Sequence, residues 1–390
     1  MVEIERIEST HRLDRLKPEW QALLAQSDAD GLFLTWEWLR TWWCHLGGRR
    51  RLCLIAVRRA GELIALAPFA ADAGPLARVL PRAGFLGTGA VGSDYLDVIV
   101  RRGAEPEAGE ALAGELERCE SPLELRQLCE SSSLGRVLPR LAARGWTVEQ
   151  RAADVCPFIS LEGHSWDSYL ATLGREHRYN LRRRLRQLER EGELRFERVA
   201  DDERRGAALA ALVALHRERW RGRGGSQAFG AAGVAAFHEE FSRLALARGW
   251  LRLFALRLDG RLAAGLYGFR YGRTFYYYQL GWDPSFATRS IGLVALGLAI
   301  RAAIEEGAAE FDLLHGSEAY KFQWASRTRA LLRAEAYPPT ARGRLLRAAV
   351  TGRRGGGRLA RRLLGDSCAD RLASLAAHAL RERPLVATAR

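Results

Sequence analysis

A twelve-residue pattern occurs twice in the chain, and it limits the possible folds more than any other feature. Residues 54–65 read LIAVRRAGELIA and residues 253–264 read LFALRLDGRLAA. A shift of 199 residues superposes them with six identities, among them Arg58 on Arg257 and Gly61 on Gly260. Each copy sets short apolar runs on both sides of an X-Gly pair, the pattern of two strands closed by a tight turn. Strand and helix periodicities follow each hairpin in a similar order. Strands are expected at 51–59, 62–70, 79–86, 95–100, 123–128 and 146–151, and helices at 13–26, 36–46, 106–119 and 134–144. A second series follows: helices at 165–173, 179–191, 203–221 and 231–247, strands at 251–258, 261–271 and 274–281, a helix at 291–306, and strands at 310–314 and 330–336. The class is α/β, with two halves on mixed central sheets and a basic helical tail. The expected units are 1–155, 156–340 and 341–390, with the boundary near 151–163.

Charge is distributed unevenly. The net charge is +14, and 58 of the 60 basic residues are arginine; Lys17 and Lys321 are the exceptions. Residues 341–390 hold 12 Arg against 3 acids, so the tail carries +9 and the remainder about +5. A nucleic-acid partner is therefore not expected of the core, whereas the tail suits an anionic membrane surface or an acidic protein. The tail reads as short amphipathic helices broken at GRRGGGR, 352–358. The apolar run 291–304 is too short to span a membrane and is bracketed by Arg289 and Arg301. The start, MVEIERIEST, lacks an apolar leader segment. The six cysteines have no CxxC spacing, so reduced thiols and no metal are expected. A cytoplasmic location follows, with peripheral contact at the inner membrane through the tail as the variant.

Three strands in series, then a loop, a helix and two more strands, is an order similar to that of a GNAT acyltransferase core. The helix opens at Arg289-Ser290-Ile291-Gly292. Ser290 is a candidate N-cap, and Gly292 gives room for close approach of a phosphate at a helix N-terminus. The GNAT signature Q/R-x-x-G-x-G/A is met at Arg289 and Gly292 and broken at Val294. The block 305–331, EEGAAEFDLLHGSEAYKFQWASRTRAL, resembles the end of the CelD-like and FemAB-like acyltransferases, through Gly307, Phe311-Asp312, Gly316 and Tyr320-Lys321. Residues 33–47, FLTWEWLRTWWCHLG, and 179–192, YNLRRRLRQLEREG, are similar to other parts of that family.

The resemblance spans roughly 30–337 and implies tandem GNAT-like domains. It also implies acyl-CoA, acetyl-CoA first, as co-substrate, and a small-molecule, saccharide or peptide acceptor, in exopolysaccharide or cell-envelope synthesis. The Fem branch moves amino acids from tRNA, which is one alternative; a non-catalytic scaffold held by its tail is another. Arg289, Ser290 and Gly292 are the candidate donor-binding residues. Asp312 or His315 is the candidate base, Tyr320 the acid for a departing thiolate, and Lys321 the oxyanion donor. Glu318 shares their loop. Tyr278, in a run of three tyrosines, is placed to line the acceptor cleft, and by the resemblance so are Asp94 and Tyr95. The helix at 179–191 is either a solvated arm packing through Tyr179, Leu181, Leu185 and Leu188 or a grip for an anionic substrate.

Overall fold

The structure, a computed structural model, describes residues 2–73, 82–221 and 229–364, with the side chains of 220 and 353–364 outside that description. The tail beyond 364 and part of the strand expected at 79–86 lie outside it.

Both copies of the repeat are hairpins. In the first, β3 (Leu54–Arg59) turns into β4 (Glu62–Ala67); in the second, β11 (Leu251–Leu258) turns into β12 (Arg261–Tyr271). The turn residues are left-handed in both: Ala60 (φ 50°) and Gly61 (φ 81°), Asp259 (φ 49°) and Gly260 (φ 76°). That conformation matches the twist of the flanking strands, and glycine adopts it without a Cβ penalty. Each hairpin also carries a bulge, between Val57 and Arg58 and between Leu256 and Arg257. The bulges fall at the same place in the repeat, so the two copies agree in backbone irregularity as well as in sequence.

A small antiparallel sheet has the order β1-β3-β4-β7, where β1 is Val2–Ile7 and β7 is Ile99–Val100. The large sheet is mixed and has eleven strands. From one edge it runs β10 (Leu194–Val199), β11, β12, β13 (Thr274–Trp282), β14 (Glu310–Asp312) and β9 (Thr147–Ser160). It continues through β15 (Arg327–Tyr337), β8 (Leu123–Cys129), β6 (Ala83–Phe85), β5 (Phe69–Ala71) and β2 (Arg51–Leu52). Two strands stitch the halves together. The fourteen-residue β9 crosses position 155 and pairs with both β14 and β15. The last strand, β15, pairs in turn with β8 of the first half. The large sheet draws strands from both halves.

Eleven α-helices flank these strands among the described residues: α1 (Thr10–Arg15), α2 (Lys17–Ala25), α3 (Trp36–Leu46), α4 (Glu105–Cys119), α5 (Leu134–Ala143), α6 (Trp166–Thr172), α7 (Arg175–Glu191), α8 (Asp202–Trp220), α9 (Val234–Ala247), α10 (Ile291–Glu305) and α11 (Ala341–Leu364). Thr35 caps α3 by accepting from the Trp38 N–H. The helix then buries Trp38 edge-on against Phe237 and Phe241 of α9. One hydrophobic core therefore joins the first half to α8 and α9. The other lies between α7, α10 and strands β11–β14. The apolar run at 291–304 is α10, buried in this second core. No described helix is long and apolar enough to cross a membrane.

The helix expected at 13–26 is two, α1 and α2, β1 and β10 are strands where none is expected, and two further details differ. The tail helix α11 is continuous from Ala341 to Leu364, through the glycine-rich stretch read as a break. Tyr179 is 60% exposed rather than packed, while Leu181 and Leu188 are buried. At helical spacing Tyr179 falls on the face opposite those leucines.

Candidate active site

The site forms where two neighbouring strands part. β14 runs parallel to β13, pairing with Thr274, Phe275 and Tyr276, and ends at Asp312. The rest of β13 continues past it. The opening exposes Tyr277 and Tyr278 to the loop 313–326, which crosses back over β9 through Leu313 N–H to Pro157 O (3.0 Å) and Gly316 N–H to Val155 O (3.0 Å). Leu314 is left-handed (φ 57°), an expensive conformation for a bulky residue. It turns the Leu314 and His315 carbonyls inward, where the Lys321 ammonium donates to both, at 3.2 and 2.6 Å. Glu318 completes the ammonium's partners at 3.1 Å. Gly316 makes room for this cluster, since a Cβ there would stand 2.8 Å from Lys321 Nζ.

Two cavities meet in the opening. The smaller, about 400 Å³, is lined by Gly92, Tyr278, His315, Glu318 and Lys321 among others. The larger, about 760 Å³, is lined by the start of α7, Arg219, Trp282 and the first turns of α10. Tyr277 and Tyr320 line both. Their side chains share a hydrogen bond, and burial raises the hydroxyl pKa of each. The hydroxyl pair therefore stands at the junction and is protonated at neutral pH.

The candidate base is built from both halves of the chain. Asp94, fully buried, holds His315 twice: it accepts from the backbone N–H at 2.9 Å and pairs with Nδ1 at 2.8 Å. Gln127 donates to the same carboxylate at 3.0 Å. The bond to Asp94 raises the His315 pKa, against the opposing effect of burial. With Nδ1 engaged, Nε2 is the nitrogen left to take a proton.

Behind this pair lies a third cavity of about 290 Å³, lined by Asp94, Tyr95, Asp312 and Arg329. Tyr95, itself left-handed (φ 55°), donates to Asp312 Oδ2 at 2.7 Å. Desolvation pushes the Asp312 carboxyl up to about 7. Asp312 and Tyr95 do not line the cavity that holds His315, so the structure separates them from His315, Tyr278, Glu318, Tyr320 and Lys321. Asp97, which flanks Tyr95 in sequence, serves the fold: it accepts from the Ser133 and Leu134 N–H groups at the start of α5.

The three donor-site residues also part company. Ser290 and Gly292 line the larger cavity. Ser290 is left-handed (φ 53°) and contributes no side-chain cap, so the first N–H groups of α10 are not taken by it. A Cβ on Gly292 would lie 3.2 Å from the Trp282 ring. The glycine lets that indole lie against the helix. Arg289 is outside the cavity lining, paired with Glu191 at 2.7 Å and resting over Phe286. Tyr277, His177 and Trp282 also line the larger cavity; of these only the tyrosine run carries a signal in the sequence, and it points to Tyr278. Among the described residues no group of three His, Cys, Asp or Glu is arranged to hold a metal ion.

Comparison with known proteins addresses the fold. Residues 175–322, which contain α7, β11–β14, α10 and the loop as far as Lys321, match the acetyltransferase (GNAT) domain family. Over these residues the chain is similar to the GNAT domain family, and its overall fold is like that of FemX. FemX superposes with a TM-score of 0.61 at 14% identity, over 85% of this chain and 96% of FemX. The C-terminal domain assigned to a lysylphosphatidylglycerol synthetase of Agrobacterium fabrum superposes at 0.51, with 12% identity over 88% and 96%. L-PGS from Bacillus licheniformis gives 0.50, with 12% identity over 86% and 95%. At these identities the likeness is one of fold. No curated protein matches the chain in sequence. Within the GNAT domain, the strand parting is the β13–β14 opening and the helix beside it is α10.

Proposed function

We propose that the protein is an acyltransferase that moves an acyl group from a thioester donor, acyl-CoA in the first instance, to an amine or hydroxyl acceptor. The observation that carries this reading is the junction of the two cavities at the Tyr277–Tyr320 hydroxyls, with His315 in the smaller one. The donor's pantetheine arm enters the larger cavity, with its phosphates at the uncapped start of α10. The acceptor enters the smaller cavity and loses its proton to His315 Nε2. The acceptor's nitrogen or oxygen bonds to the acyl carbon as the C–S bond breaks. The departing sulfur takes a proton from Tyr320, which regains one from the imidazolium through Tyr277 or water. Lys321 holds the loop that presents His315. Asp94 orients the imidazole, and Tyr278 and Glu318 face the acceptor. In this reading the first half, 1–155, is a positioning partner for the second, 156–340, and envelope or exopolysaccharide acceptors are the substrates to try first.

The test is a melting curve of the purified chain with CoA, acetyl-CoA and longer acyl-CoAs, followed by transfer to a panel of amines and sugars. Ligands that bind the folded state raise Tm. Protection that survives Gly292→Val, or transfer that survives His315→Ala in a folded protein, would remove this assignment.

A further inference from the structure

The outer face of α7 carries more charge than its cavity uses. Arg175, Tyr179, Arg182, Arg183, Arg186 and Arg190 fall within roughly a 100° arc of the helix, at 100° per residue. That arc is opposite the buried Leu181 and Leu188, which hold α7 in the second core. The five arginines are exposed along about 22 Å of helix. Among the described residues their one acidic partner is Asp167, 3.6 Å from Arg182. Glu176 and Glu189 flank the arc.

This face borders the larger cavity. Arg175, Glu176, His177 and Asn180 line that cavity, and at the other end of α7 Glu191 reaches Arg289, the residue before Ser290. Arg182, Arg183, Arg186 and Arg190 do not line it. A ligand confined to the cavity, free acyl-CoA included, leaves them unmatched.

Resting on the acyl-transfer reading above, we infer that the acyl donor is presented by an acidic carrier protein that lies along this face and inserts a thioester-bearing phosphopantetheine arm into the larger cavity. A guanidinium pairs with a carboxylate through two parallel bonds, and a straight helix face suits an acidic helix. A nucleic acid fits less well. Single strands are held by open aromatic platforms between basic residues. On this arc of α7 the one ring is Tyr179, with the Arg183 guanidinium 6.0 Å from its centroid, and a single ring makes no run of platforms.

The experiment compares three probes on the full chain: purified acyl carrier protein charged with short and long acyl groups, CoA thioesters of the same acyl groups, and bulk tRNA. The expected result is tight, salt-sensitive binding of the acylated carrier and transfer from it. Arg183→Glu together with Arg186→Glu and Arg190→Glu should raise the KM for the carrier roughly tenfold or more, with kcat and transfer from free acyl-CoA unchanged. A milder pair, Arg183→Ser with Arg190→Ser, should show a smaller shift in the same direction at an unchanged Tm. Equal carrier kinetics in wild type and both variants would overturn the inference. So would a wild type that uses free acyl-CoA and ignores the carrier, or one that binds tRNA or anionic vesicles through this face instead. If wild type uses neither thioester, the acyl-transfer reading fails with it, which separates the two failures.

Discussion

Asp94 is what makes His315 a candidate base, and the pair sets a pH dependence. The imidazole pKa is raised by its bond to the carboxylate, so a larger share of His315 is protonated near neutrality and cannot accept a proton. Transfer is expected to rise with pH through that raised value and then level off. Asp94→Asn removes the cause of the shift, so the rising limb should move to lower pH while the plateau falls. His315→Ala should lower the plateau about 10²- to 10⁴-fold, the usual worth of a positioned base. A pH profile of kcat/KM for the three proteins checks both statements, and an unmoved limb in Asp94→Asn would exclude the pairing. Lys321 gives a second prediction at this scale. It is buried, and its bonds are made to two loop carbonyls and Glu318. Lys321→Ala leaves those carbonyls unmatched, at a cost of about 1–3 kcal/mol in unfolding free energy. Turnover should fall with it, about tenfold to a thousandfold. Lys321→Arg should restore neither, because a planar guanidinium cannot place three donors in the space of an ammonium. Urea unfolding beside steady-state kinetics tests both effects. Lys321 is marked in the sequence by its rarity, and its partners add loop anchoring to the oxyanion role expected of it. Asp94 is expected at the substrate cleft, and nothing in VGSDYLDV announces its contact with a residue in the other half of the chain.

At the scale of elements, hairpins and long helices were legible and the stitching strands were not. The hairpins announce themselves by short apolar runs and by X-Gly turns, which are local properties. β9 was read as 146–151 and runs to Ser160, because Arg151 to Pro157 (RAADVCP) is polar, small and proline-containing. It is held as a strand by β14 and β15, partners 150 or more positions away. β14 is three residues long, below the length at which periodicity can be counted. The start of α10 gives the prediction here. The contact of Gly292 with Trp282 means that Gly292→Val must push the indole out of place. The larger cavity should lose its CoA-dependent rise in Tm, and ligand-free Tm should drop as well. By contrast, Arg289→Ala should leave CoA protection largely intact, since Arg289 serves Glu191. A set of four melting curves, each variant with and without CoA, separates the two.

Over the whole molecule, the shared sheet predicts one unfolding transition. β15 rests on β8 of the first half, and β9 begins there and ends in the second. Calorimetry of the full chain should give a single peak with equal calorimetric and van't Hoff enthalpies. A fragment of 156–340 loses β8 and the first nine residues of β9, so β15 keeps only the pairs of Arg327, Thr328 and Arg329 with β9 and the fragment should not fold alone. Two resolved transitions, or a folded fragment, would contradict this. Removing the tail is milder. α11 touches the core through buried Leu346 and an Arg347–Glu149 pair at 2.8 Å. A chain ending at Thr340 should lose about 2 kcal/mol or less and keep its single transition.

The bond between Asp94 and His315 spans 221 positions and joins the two halves of the chain. It has an evolutionary meaning. A half that carries no reacting group is ordinarily free to drift. Here the loop 92–97 of the first half raises the basicity of a residue in the second. Under the acyl-transfer reading, drift in that loop would be felt first as a change in the acidity at which transfer occurs, before any loss of fold. Related chains with altered residues at 94 or 127 should differ in pH optimum while keeping the same architecture.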